Sequence, residues 1–129
     1  MNAIRVREHG GPEVLVLEEV DDPRPAAEQV LVSLHAAGVN MIDVQQRSGG
    51  YSVNLPFTPG TEGAGEVIEA GEGVQGYSSG DRVAYAGVPG AYAELALVPA
   101  PRLVSVPSAL PLEVAAAVLL QGMTAHYLL

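Results

Sequence analysis

The side chains able to do chemistry in this 129-residue chain are few. With no cysteine, thiolate nucleophiles, disulfides and cysteine-held zinc are excluded together. The three histidines, His9, His35 and His126, fall on a turn, a strand and a helix, without the spacings that bring imidazoles onto one metal. They are read as structural. What remains is polar and suited to hydrogen bonding a small molecule. Asn40 and Asp43 stand at a spacing that lets Asn40 cap a short helix while Asp43 lies near its positive end. Capping accounts for both residues, yet a polar group at the end of a strand is also where small-molecule pockets form. Tyr51 follows Gly49-Gly50, either on a loop that could close over a pocket or as an ordinary half-buried tyrosine. Gln121, Thr124 and Tyr127 recur every three residues in an otherwise apolar stretch. That stripe suits a ligand or a domain seam, or equally plain helix-surface hydrogen bonding.

The elements that must position these groups are mostly short strands. Residues 2 to 7 and 14 to 20 alternate about an HGGPE turn cluster and predict a hairpin-like opening. Gln29 to Ala37 predicts a longer strand with Val30, Val32 and Leu34 on one side. NMIDVQQRS predicts a helix of about two turns, with Asn40 before it and Gly49-Gly50 after it. The glycine-rich segment that follows, up to Val98, holds three short strand candidates. Within it GEGVQG spells G-x-G-x-x-G, but YSSGDRV after it predicts a turn and a strand instead of the helix a dinucleotide site requires. A wide hairpin loop is expected there. From Pro111, at the first helical turn, a helix is predicted to the last residue, apolar around most of its circumference and without a glycine or basic cap. A helix with so little polar surface predicts a covering partner, either a further domain or another subunit.

Apolar residues make up 48% of the chain and charged residues 16%, a globular composition. The formal charge of -9 repels phosphate backbones and anionic lipid, so neither nucleic-acid nor membrane-surface binding is expected. The amino terminus has no apolar run of signal-peptide length, and Val114 to Leu120 is far shorter than the roughly 20 residues a bilayer needs. A cytoplasmic setting fits the lack of cysteine.

Taken together, AAGVNMIDVQQRSGGY, PGTEGAGEVIEAGEGV, GDRVAY, GAYAE and AAAVLLQGMTAHYLL resemble the quinone oxidoreductase (zeta-crystallin-like) branch of the medium-chain dehydrogenase/reductase superfamily. The resemblance spans nearly the whole chain. It implies a mainly β fold with short helices, a GroES-like β-barrel catalytic domain over residues 1–110, and over 111–129 the start of a helix leading into an absent Rossmann domain. It further implies hydride transfer from NADPH to a small-molecule quinone or enone, in a parent protein that is a homo-oligomer. By motif, Asn40 is the polar group near nicotinamide and substrate, with Asp43 its neighbour and Tyr51 lining the acceptor pocket. Thr124 and Tyr127, with Gln121 less firmly, fall on the cofactor side, and Arg47 supports the loop. The zinc-dependent branch carries a cysteine where this chain has Asn40 and a histidine where it has Thr61, and its cysteine-rich lobe is missing between Val83 and Gly90. The resemblance therefore implies a zinc-independent reaction. Two alternatives stand beside it: an enoyl-thioester reductase with Tyr51 as proton donor, and a stand-alone GroES-like module that binds a partner without catalysis. The 129 residues alone are expected to show little or no activity.

Overall fold

Val30, Val32 and Leu34 place β3 (Gln29–Ala37) at the heart of the fold, because both of its edges are paired. In this computed structural model, which describes all 129 residues, β3 runs antiparallel to β4 (Glu62–Ala70) on one side and to β6 (Leu95–Pro99) on the other. β5 (Arg82–Ala86) and then β7 (Leu103–Ser105) extend the sheet beyond β4, giving the order β6-β3-β4-β5-β7. A separate hairpin of β1 (Asn2–Arg5) and β2 (Val16–Glu19) meets the segments that precede β6 and β4 through isolated bridges from Ala3 to Ala93 and from Val6 to Phe57. The Ile4 N–H on the Tyr92 carbonyl at 2.8 Å adds to this seat.

The sheet is covered on both faces, and strand alternation sorts the cover. Val83 and Tyr85 of β5 join Val30, Val32, Val67, Val98 and Leu103 in the larger core cluster. Ala84 and Ala64 point the other way, under Leu112, Ala115 and Ala116 of α2 (Leu112–Leu128). Small residues on both sides of that contact let the helix axis approach the sheet closely. The shorter helix α1 (Met41–Ser48) sits between β3 and β4 in sequence and ends on Gly49, whose φ of 85° is the left-handed cap conformation.

The expected hairpin, the long strand, both helices and all three strands of the glycine-rich segment form. β4 is longer than expected at nine residues, and β7 lies outside the strands expected. Only three residues long and bounded by proline-containing segments, β7 is held by its pairing with β5 rather than by its own pattern. Residues 71 to 81, including GEGVQG, form the loop between the antiparallel strands β4 and β5, and no helix follows. Pro111 is the N-cap of α2 rather than a residue of its first turn; its carbonyl accepts the Ala115 N–H at 3.1 Å. The helix likewise stops at Leu128, one residue short of expectation, with Leu129 as its flanking cap.

Candidate functional site

Asn40 leaves the extended conformation of the β3 exit, with φ -126° and ψ 156°, and opens α1 in a capping box with Asp43. Asp43 Oδ2 accepts the Asn40 backbone N–H at 2.9 Å, and Asp43 N–H returns a bond to the Asn40 carbonyl at 3.0 Å. The capping expectation therefore holds through the Asp43 carboxylate, whereas the Asp43 N–H goes to the Asn40 carbonyl and not to its side chain. The Asn40 amide also reaches out of its own helix. Its Nδ2 donates to Glu62 Oε2 at 3.1 Å, and its Oδ1 accepts from Gln121 Nε2 at 2.8 Å. One side chain thus joins α1, β4 and α2.

Glu62 is the buried member of this cluster, with no exposed surface at all. A carboxyl group so placed needs partners for its oxygens, and both have one. Oε1 accepts the Leu120 N–H from the interior of α2 at 2.7 Å, while Oε2 takes Asn40. Gly38 makes room for this contact. A Cβ there would run into Glu62 Oε2 and lie 2.8 Å from the Ala116 carbonyl.

Asp43, 4% exposed, faces a second partner in Tyr92, whose hydroxyl donates to Oδ2 at 3.0 Å. Burial, reinforced by the Asp43 charge and this hydrogen bond, pushes the Tyr92 hydroxyl well above the usual tyrosine range. Gly60 admits the ring, because at its φ of 89° any Cβ would strike the Tyr92 ring carbons and lie 2.9 Å from Ala91 Cβ. Beside this pair lies a cavity of about 110 Å³ lined by Asp43, Arg47, Tyr92, Val39, Val44 and Leu15, among others. Asp43 Oδ1 and Arg47 Nε are both buried there without a hydrogen-bond partner.

The remaining expected residues divide. Gln121 joins the cluster through Asn40. Thr124 satisfies its hydroxyl within α2, donating to the Leu120 carbonyl at 2.8 Å, and Tyr127 is 87% exposed. Tyr51 follows α1 with its N–H on the Gln45 carbonyl at 3.0 Å, its side chain exposed and outside the Asn40 cluster. The stripe on α2 is therefore one network residue, one self-bonded residue and one free residue. His9 bonds the Arg47 carbonyl through Nδ1 at 3.3 Å, and His35 and His126 are exposed. No group of three or more His, Cys, Asp or Glu side chains is placed to hold a metal ion. Glu62 and Tyr92 are the site residues that sequence reasoning missed. For Glu62 the available signal was a lone acid among the small residues of PGTEGAG, and for Tyr92 the GAYAE string.

Residues 26–108 match the alcohol dehydrogenase GroES-like domain. The chain is 44% identical over 128 residues to a quinone oxidoreductase of Pseudomonas aeruginosa, covering 98% of this chain and 39% of that protein. It is 50% identical over 101 residues to the quinone oxidoreductase of Rattus norvegicus, covering 75% of this chain and 31% of that protein. Among solved structures it superposes on the Escherichia coli quinone oxidoreductase complexed with NADPH at a TM-score of 0.97 and 41% identity, over 99% of this chain and 40% of that one. The chain thus spans about two fifths or less of the length of these relatives. The match over residues 26–108 takes in more than half of the chain, and the chain belongs to the alcohol dehydrogenase GroES-like domain family.

Proposed function

We propose that residues 1–129 are the catalytic portion of a zinc-independent NADPH:quinone, or α,β-unsaturated carbonyl, oxidoreductase. The observation that carries this reading is the pair of neutral amides, Asn40 and Gln121, backed by the buried Glu62, which forms a hydrogen-bonding surface where a zinc enzyme of this family needs a thiolate and an imidazole. In this reading residues 1–110 form the catalytic domain and 111–129 begin the helix leading to a nucleotide-binding domain.

The residues present fit the nicotinamide end of such a cofactor. Asn40 and Gln121 offer amide groups at the surface, and Thr124 and Tyr127 continue the same helix one and two turns on. Bound there, NADPH supplies the hydride that a conjugated acceptor receives. The chain itself contributes position. Glu62 holds the Asn40 amide against β4 and α2, so that the surface presented to ligand is already ordered before binding. Asp43 keeps the α1 amino terminus in place behind Asn40, and Tyr92 holds Asp43. The exposed Tyr51 ring is free to settle over an acceptor. A homo-oligomeric, cytoplasmic parent belongs to the same reading.

The test is to join residues 1–129 to the remainder of the Escherichia coli relative and follow NADPH oxidation with 1,4-naphthoquinone. Turnover should survive chelation by EDTA and fall by about tenfold or more in Asn40→Ala, which removes a pre-positioned group. A folded chimera that binds NADPH but does not reduce the quinone overturns the reading, and loss of turnover on chelation overturns its zinc independence. Crotonyl-thioester turnover above quinone turnover would favour the enoyl-thioester reductase instead.

A further inference from the structure

An asparagine amide has a donor end and an acceptor end of nearly the same shape, and its neighbours decide which end faces where. At Asn40 the deciding neighbour is Glu62, which is fully buried and, as a carboxylate, offers oxygens that only accept. Its Oε1 is held by the Leu120 N–H at 2.7 Å, a main-chain donor that cannot turn away, and Gly38 and the Ala116 carbonyl close the space beside Oε2. The Asn40 end facing Oε2 must therefore be the donor, Nδ2, at 3.1 Å. The acceptor, Oδ1, is left pointing to the exposed side, where Gln121 Nε2 donates to it at 2.8 Å. The hydrogen bonds run in one direction, from Gln121 to Asn40 to Glu62.

We infer that Glu62 is a positioning residue that fixes the polarity of the Asn40 amide, so that the Asn40–Gln121 position takes a ligand's hydrogen-bond donor, a hydroxyl or a primary amide, and not a carbonyl acceptor. A ligand that displaces Gln121 from Oδ1 must donate in its place. A quinone carbonyl cannot, because both it and Oδ1 only accept, and pairing them leaves two desolvated acceptors face to face. The polarity stands on this chain's own contacts. The identity of the donor as part of a nicotinamide cofactor rests on the function proposed above.

Side-chain amide exchange, followed by NMR on the 129-residue chain, reads the polarity directly. In the native protein the Asn40 NH2, turned inward onto Glu62, should exchange at least about tenfold more slowly than that of the exposed Asn54. In Glu62→Gln the new carbonyl keeps the Leu120 N–H, its amide nitrogen faces Asn40, and the Asn40 amide turns over. Its NH2 should then exchange at the Asn54 rate while the Leu120 N–H stays protected, a separation that general loosening would not give. Native exchange already at the Asn54 rate overturns the inference, as does slow exchange that persists in folded Glu62→Gln. If that variant does not fold, the native comparison alone decides. In a second arm, nicotinamide should move the Asn40 and Gln121 side-chain resonances while methyl nicotinate, which has the carbonyl but no N–H, leaves them in place. Equal shifts from both, or none from nicotinamide, overturn the donor assignment. Neither result changes the turnover expected of the chimera, so the two readings fall separately.

Discussion

Asp43 accepts two hydrogen bonds through one oxygen, from the Asn40 N–H and the Tyr92 hydroxyl, and this pairing ties the start of α1 to the segment before β6. Because the Asp43 charge opposes loss of the Tyr92 proton, Asp43→Asn should bring the Tyr92 titration back toward ordinary tyrosine, though burial keeps it raised. Ultraviolet titration of the phenolate bands would show the shift, and an unchanged titration would mean that burial alone sets it. The sign for stability follows. Tyr85 and Tyr92 both hold their protons in the folded chain to higher pH than the unfolded value of 10.0. Above pH 10 the unfolded state therefore binds fewer protons and gains on the folded one. Stability to urea should fall as pH rises through the unfolded tyrosine range, and less steeply in Tyr92→Phe. At this scale the sequence showed Asn40, Asp43 and Gln121 as polar groups at suggestive spacings. It could not show that Asn40 and Gln121, 81 residues apart, share a hydrogen bond, because no local pattern encodes a contact of that separation.

Helix α2 has two unlike sides. Leu112, Ala115 and Ala116 are buried against the sheet, whereas Val114, Val118, Met123 and Leu128 are 41% to 74% exposed. Leu112→Ala should cost about 2 to 5 kcal/mol of unfolding free energy, the usual range for a buried leucine. Val118→Gln should lie within about 0.5 kcal/mol of the native value in this chain. Urea denaturation of the two variants checks both; equal losses would mean that the exposed side is covered in solution. The helix itself was legible from its lack of strand alternation and its run of helix formers. Which side packs was not, because apolar residues occur all round it. The docking face is selected instead by Ala64 and Ala84, whose small side chains leave the groove that Ala115 and Ala116 fill.

Across the whole molecule, six arginines and no lysine face fifteen acids. Two ion pairs form, Met1 with Asp22 and Arg7 with Glu18, and both lie at the surface. The excess of negative charge should leave the chain unbound to duplex DNA and to anionic vesicles even at low salt, which gel-shift and vesicle sedimentation would test. No helix is long and apolar enough to cross a membrane. The sequence by itself determined both helices and every strand but β7, the glycine loop that is not a nucleotide fingerprint, and the start of α1 at Asn40 with Asp43, because each of these depends on neighbours within a few residues. Tertiary structure alone decided the rest. It brought Glu62 from β4 beneath Asn40 and set the Leu120 N–H against it, placed Tyr92 on Asp43, and left Tyr51 and Tyr127 in solvent. The reason is physical: a buried carboxylate must find donors wherever the fold supplies them, and those donors come from elements distant in the chain.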